Sequence, residues 1–146
     1  MSKAILGMVV SIGAVVLLSG CGASGQQFSQ FTAPKPDRAQ VYVYRPESFV
    51  GGGVYYDIHV TNATNPDRIV DELVNGSYME FDVPSGENEV WGKTEAKSSV
   101  TLDVKTGETY CVRGGVGIGF LVGRPNLEIV DMATCKSEIV GTKLAK

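Results

Sequence analysis

The sequence is poor in histidine, in cysteine and in surplus charge of either sign. One histidine and three cysteines among 146 residues leave too few nitrogen and sulfur ligands for a four-coordinate zinc site, so no metal is expected. Thirteen basic residues against sixteen acidic ones, net −3, give no electrostatic footprint for nucleic acid and no polybasic stretch for anionic lipid. The glycine-rich run Gly114–Phe120 accommodates neither G-x-x-x-x-G-K-[ST] nor G-x-G-x-x-G, and no helical pattern follows it to meet a phosphate. No nucleotide or other cofactor is therefore expected. Helical periodicity is scarce as well, and Asp67–Val74 is the best window for a short helix.

What the chain does contain begins at its first residues. Lys3 is the only charge before position 35, and an apolar run from Ala4 to Leu18 follows it. A positive n-region and an h-region of this length read as a secretory signal. The run lies at the lower edge of what spans a bilayer. Its end, Leu18-Ser19-Gly20-Cys21, resembles the lipobox of bacterial lipoprotein precursors. That resemblance implies a diacylglyceryl group on the Cys21 thiol, cleavage before Cys21, and acylation of the new amino terminus. One acyl chain holds a protein marginally and two or more hold it durably. In the same family picture Gly22, rather than Asp, at the second mature position points to the outer membrane, facing the periplasm.

The expected divisions are a signal peptide over residues 1–20, an acylated N-terminus with a flexible linker over 21–39, and a folded domain over 40–146. Removing 20 of 146 residues leaves 126, and losing Lys3 leaves 12 basic against 16 acidic residues, net −4. That length makes one domain. With Cys21 assigned to lipid, Cys111 and Cys135 remain. In an envelope compartment two such cysteines more often pair than stay free; free buried thiols or half a metal site are the alternatives. Closing a loop of about 25 residues contributes roughly 3.5 kcal/mol in the chain-entropy model.

Gly22–Ala39 is small and polar, with Pro34 and Pro36 and no periodic apolar face, which is linker composition. Eighteen extended residues reach at most about 60 Å. Phe28 and Phe31 are its apolar exceptions, to be docked on the domain or set at the membrane. From Gln40 the period becomes two: Val41-Tyr42-Val43-Tyr44, then Tyr55–Val60, Ile69–Val74, Ser77–Val83, Glu87–Trp91, Ser99–Val104, Glu108–Arg113, Asn126–Met132 and Glu138–Thr142. Asn75-Gly76 between two such runs predicts a hairpin with a type I′ turn. Seven to nine short strands with turn signals every eight to twelve residues predict an all-β, antiparallel β-sandwich.

QVYVYR (40–45), LVNGSYMEF (73–81), VPSGENEV (83–90), GETYCV (107–112) and LEIV (127–130) are similar to a family of uncharacterised bacterial envelope lipoproteins that share a domain of unknown function. The likeness covers roughly residues 39–142. Its motifs are turn and strand positions, so it implies a fold and a location rather than an activity.

Three features invite chemistry. The stretch 114–122 reads either as a long hairpin loop that needs glycine conformations or as an exposed apolar tip. Val116, Ile118, Phe120, Leu121 and Val122 would form that tip, set against a partner or a membrane. His59 and Asp57 share a strand face, but Cβ atoms two residues apart on a strand are about 6–7 Å apart. That is too far for a direct orienting bond, and no nucleophile is apparent, so a solvent-facing histidine is expected. A small hydrolase, or an accessory subunit of one, using His59 with carboxylates among Glu72, Glu80, Asp82, Glu87 and Glu89 is the alternative to solubilising charges. Tyr42, Tyr44, Tyr55 and His59 would form a peptide or glycan platform if they shared one outer face; core packing is the other reading. The balance favours a lipid-anchored, non-catalytic binding or structural module that meets an envelope protein or peptide.

Overall fold

The computed structural model describes residues 22–146; the signal peptide, the lipobox and Cys21 lie outside the described residues. The domain is an all-β sandwich of two sheets. Its strands are β1 (Ala39–Tyr44), β2 (Tyr56–Asn62), β3 (Asn65–Leu73), β4 (Ser77–Val83), β5 (Gly86–Lys93), β6 (Lys97–Val104), β7 (Thr109–Gly117), β8 (Arg124–Val130) and β9 (Lys143–Leu144), with one helix, α1 (Met132–Ile139), before β9. One sheet runs β8-β7-β1-β4-β9 and the other β3-β2-β5-β6.

The chain alternates direction at each element, which explains the two parallel pairings in a largely antiparallel fold. β1 and β7 both ascend and lie side by side, and α1 takes an ascending turn so that β9 descends beside β4. The connections 45–55, 74–76, 94–96, 118–123 and 140–142 therefore gather at one end of the sandwich. Residues 63–64, 84–85 and 105–108 close the opposite end.

β1 divides its alternation between two cores. Val41 and Val43 face the other sheet, with Ile58, Val60, Val83, Val90 and Val112. Tyr42 and Tyr44 face outward into a second cluster with Phe28, Ile139 and the Cys111–Cys135 pair. That second core exists because α1 and residues 22–36 cover the outer face of the five-stranded sheet. The expected linker is thus corrected over this stretch: it is laid along the sheet. Gly22 bridges to Asn75 and Gln27 to Lys143, and the Phe28 amide donates to the Thr142 carbonyl at 2.9 Å. Phe28 stands edge-on to Tyr78 at 5.3 Å, and Phe31 edge-on to Tyr42 at 4.8 Å. Burying two aromatic rings on a tyrosine shelf offsets the ordering entropy of a chain of linker composition.

Two local expectations also change, and a third window is decided. Residues 138–142 are not a strand, because Asp131 caps α1 by accepting from the Thr134 amide at 2.8 Å and the helix runs to Ile139. The window Asp67–Val74, the best available for a short helix, is strand as the run Ile69–Val74 predicts: its residues to Leu73 lie in β3, which starts earlier, at Asn65, on an edge of its sheet where Pro66 costs no ladder bond. Asn75-Gly76 is a tight turn but not a hairpin, since β3 and β4 belong to different sheets. The Ser77 amide donates back to Val74 at 3.2 Å, and only Gly76 has positive φ, at 69°. Positive φ at the third turn position alone is the type II pattern; type I′ would need it at Asn75 too.

Candidate functional site

The loop-rich end is built on β1 and β7, neighbours that both run toward it. β1 ends at Tyr44, and Arg45, the next residue, is only 2% exposed. Its Nη1 donates to the Val54 carbonyl at 2.5 Å and its Nη2 to the Gly51 carbonyl at 2.6 Å. A guanidinium is suited to this, because its planar fork holds two carbonyls at once. Burial pulls the Arg45 pKa below its ordinary value. Loop 46–55 is fixed from beneath by these bonds, while Phe49 and Val50 at its crest are exposed.

Loop 118–123, which follows β7, is fixed from the opposite polarity. Glu95, in the β5–β6 turn, accepts from the backbone amides of Phe120 and Leu121, the latter at 3.0 Å, and from Arg124 Nε at 2.9 Å. The two amides and the guanidinium hold its carboxyl at about 2, well below the usual carboxylate range. The Thr94 hydroxyl adds a bond to the Gly123 carbonyl at 2.8 Å.

Of the residues expected at the apolar tip, Ile118, Phe120 and Leu121 are 97%, 87% and 86% exposed. Val116 is turned in against the sandwich core. The glycines before the tip are not loop glycines: Gly114, Gly115 and Gly117 belong to β7, and none of the run has positive φ. Gly114 instead permits close approach of the sheets, since a Cβ there would stand 2.5 Å from Leu73 Cδ2 and 3.2 Å from the Tyr56 hydroxyl.

The start of the described chain lies at this same end. Gly22 bridges to Asn75, and Gly22, Ala23, Gly52, Gly53, Asn75 and Lys143 line one open hollow. Loop 46–55 is held to the β3–β4 turn by the Ser48 amide, which donates to Asn75 Oδ1 at 2.9 Å.

The other candidates are dispersed. His59 projects from the outer face of the four-stranded sheet, where Nδ1 lies 2.7 Å from Asp67 Oδ1 and the ring stacks on Trp91 at 3.8 Å. Its partner is thus Asp67 of the adjacent strand rather than Asp57, and its side chain is shielded by Trp91 more than a solvent-facing histidine would be. Asp82 pairs with Lys35 and Arg38, Glu89 with Lys97, and Glu80 accepts from the Thr32 hydroxyl. The tyrosine platform does not form: Tyr42 and Tyr44 are buried under α1 and residues 22–36, in the sheet opposite His59. Cys111 and Cys135 form a disulfide that ties β7 to α1. Among the described residues there is no cluster of three or more metal-ligating side chains and no helix long and apolar enough to cross a membrane.

Arg45 and Glu95 are the residues that sequence reasoning missed. In the sequence Arg45 merely follows the Val41–Tyr44 alternation before Pro46, and Glu95 is one charge in the polar stretch 93–97. Comparisons with protein-family models, with curated proteins and with solved structures returned no match.

Proposed function

We propose that this chain is a lipid-anchored protein of the bacterial envelope, held through Cys21, whose sandwich serves as a non-catalytic binding or structural module. The observation that carries the reading is Leu18-Ser19-Gly20-Cys21 behind Lys3 and an apolar run, the pattern of a lipoprotein signal. The Cys111–Cys135 disulfide supports it, because such bonds persist in oxidising compartments outside the cytosol. Gly22 after the cysteine favours the outer membrane, with the domain in the periplasm, where an envelope protein or peptide would be its partner. Support for the non-catalytic part comes from the carboxylates of the hydrolase alternative: Asp82 pairs with Lys35 and Arg38, and Glu89 with Lys97, as structural surface charges do.

The test is metabolic labelling with palmitate in cells producing the full chain, with globomycin to block lipoprotein signal cleavage. Labelled mature protein is expected, with a slower-migrating precursor under globomycin and no label in Cys21→Ser. Absence of label from the wild-type chain would sink the anchoring reading. Separation of inner and outer membranes on a density gradient then decides the compartment.

A further inference from the structure

We infer that the loop-rich end of the sandwich is a membrane-seating face, in which Phe49, Val50, Ile118, Phe120 and Leu121 enter the interface of the leaflet that holds the lipid anchor. This rests on the lipoprotein reading above for the position of the anchor, and on the fold for everything else.

The first ground is placement. Cys21 immediately precedes Gly22 in the sequence, and one peptide spans only about 3.8 Å between Cα atoms. Gly22 is pinned to Asn75 at the loop-rich end. Residues 22–36 then run away along the five-stranded sheet, with Thr32 bonded to Tyr42 midway and Arg38 to Asp82 near the far end. A tether that could reach about 60 Å if extended is instead used up against the domain. An acyl group on Cys21 would leave the sandwich with this end facing the bilayer.

The second ground is the chemistry of that end. Most of the large exposed apolar side chains among the described residues are on loops 46–55 and 118–123, whereas Ile69 and Ile129 are the ones on the strands. They stand on two projecting crests, and Tyr55 beside them is also exposed. Aromatic and aliphatic side chains on such projections insert at the boundary between headgroups and acyl chains.

The third ground is how the crests are held. Backbone N–H and C=O groups that approach hydrocarbon must be bonded within the protein. Here Arg45 takes the carbonyls of Gly51 and Val54, and Glu95 takes the amides of Phe120 and Leu121. The two charged groups that hold the loops, Arg45 and Glu95, are themselves largely covered, whereas Phe49, Ile118, Phe120 and Leu121 are exposed.

The experiment uses the full chain and places a tryptophan at either end of the sandwich, Phe49→Trp or Phe120→Trp at the loop-rich end and Ser85→Trp at the opposite one, each with Trp91→Phe. The purified proteins are reconstituted in vesicles of phosphatidylethanolamine and phosphatidylglycerol, with and without acyl chains brominated near the headgroup. Mass spectrometry of the N-terminal peptide reports the lipid separately. Loss of emission at positions 49 and 120 with none at 85 is expected. Unquenched emission at 49 and 120 in protein that floats with the vesicles and carries its lipid would overturn the seating and leave the anchoring intact. Quenching without lipid on Cys21 would keep the seating and remove the anchoring; neither lipid nor quenching would remove both. Emission shielded from aqueous iodide yet untouched by the brominated chains would assign the face to a second copy of the protein and overturn the proposal. Circular dichroism of each variant confirms the fold before quenching is read.

Discussion

The Arg45 guanidinium lies 2.6 Å from the carbonyl of Gly51, six residues ahead of it, in a pocket where Arg45 is 2% exposed. A buried cation is normally matched by a carboxylate, but this one is matched by carbonyl dipoles. The geometry makes Arg45 a local staple for loop 46–55. Arg45→Met keeps the stem and removes the fork, so the Val54 and Gly51 carbonyls lose their donor. Bonds to charged groups contribute about 1.5–3 kcal/mol each, so a loss of about 3 kcal/mol is expected, read from the urea midpoint. Arg45→Lys should recover only part of it, because an ammonium does not reproduce the planar fork.

Glu95 holds the second loop by the complementary device, and its pH dependence follows from its lowered pKa. The folded carboxyl sits at about 2, against roughly 4.3 for an unperturbed glutamate. A depressed folded value means that the anchoring contribution is complete above the unfolded value and is lost as pH falls through the folded one. Hydrogen exchange at the Phe120 and Leu121 amides should therefore stay slow at neutral pH, relative to intrinsic rates, and lose protection between about pH 4 and pH 2. Glu95→Gln should show reduced protection above about pH 4, with that acid transition removed.

The Cys111–Cys135 bond joins β7 to α1 across 24 residues of sequence. Both cysteines are buried, so a reductant reaches the bond only through opening of the domain. Cys111→Ser with Cys135→Ser should lower stability by about 3 kcal/mol, the loop-closure entropy returned to the unfolded chain. Denaturant titration of the wild type under oxidising conditions against the double variant measures it. α1 should be the element that loosens first, since Cys135 lies on it and what then holds it to the sheet is the burial of Ile139 and the bonds of Glu138 to Tyr44 and Arg113.

Much of the fold was legible in single strands, and what was hidden depends on partners distant in sequence. Val41-Tyr42-Val43-Tyr44 announces a strand by its period, and Val100, Leu102 and Val104 announce an inner face; the last two are buried and Val100 packs at the margin. Asn75-Gly76 announces a turn, but turn chemistry does not say which strands will pair, and here it passes the chain between sheets. α1 is eight residues long with two buried side chains, too short for periodicity to reveal; Asp131 three residues before Thr134 was the available signal. Residues 22–36 have a linker's composition and dock only because Tyr42 and Tyr78 form a shelf elsewhere. The apolar tip was visible in Ile118, Phe120 and Leu121, whereas Phe49 and Val50 join it only once β1 and β7 are known to be parallel neighbours.

Phe28 tests whether residues 22–36 are part of the folded unit. It is 8% exposed and stands edge-on to Phe31, Tyr42 and Tyr78. Truncation of a buried phenylalanine costs about 3–5 kcal/mol in a core; at the margin of the second cluster the low end, about 3 kcal/mol, is expected for Phe28→Ala. Limited proteolysis should show new cleavage within residues 22–36 before the sandwich is cut. If proteolysis were unchanged from the wild type, residues 22–36 would not depend on the aromatic cluster for their docking.

Tyr56 binds the two sheets from within, and this makes the domain sensitive to alkali. Its hydroxyl donates to the Gly115 carbonyl at 2.8 Å, and burial pushes its pKa up to about 12. Unfolded tyrosine ionises near pH 10. A folded value above the unfolded one means that the contribution is complete below about pH 10 and is lost as pH rises toward 12. Burial raises the values of Tyr42 and Tyr44 as well, so the wild-type domain should lose stability steeply over that interval. Tyr56→Phe removes one of these contributions, at a cost of about 1 kcal/mol at neutral pH for the lost hydrogen bond. Its stability should then fall less steeply between pH 10 and 12 than that of the wild type, in paired urea titrations at each pH. Equal slopes would mean that Tyr56 does not carry the alkaline dependence, and Tyr42→Phe and Tyr44→Phe would then be measured in its place.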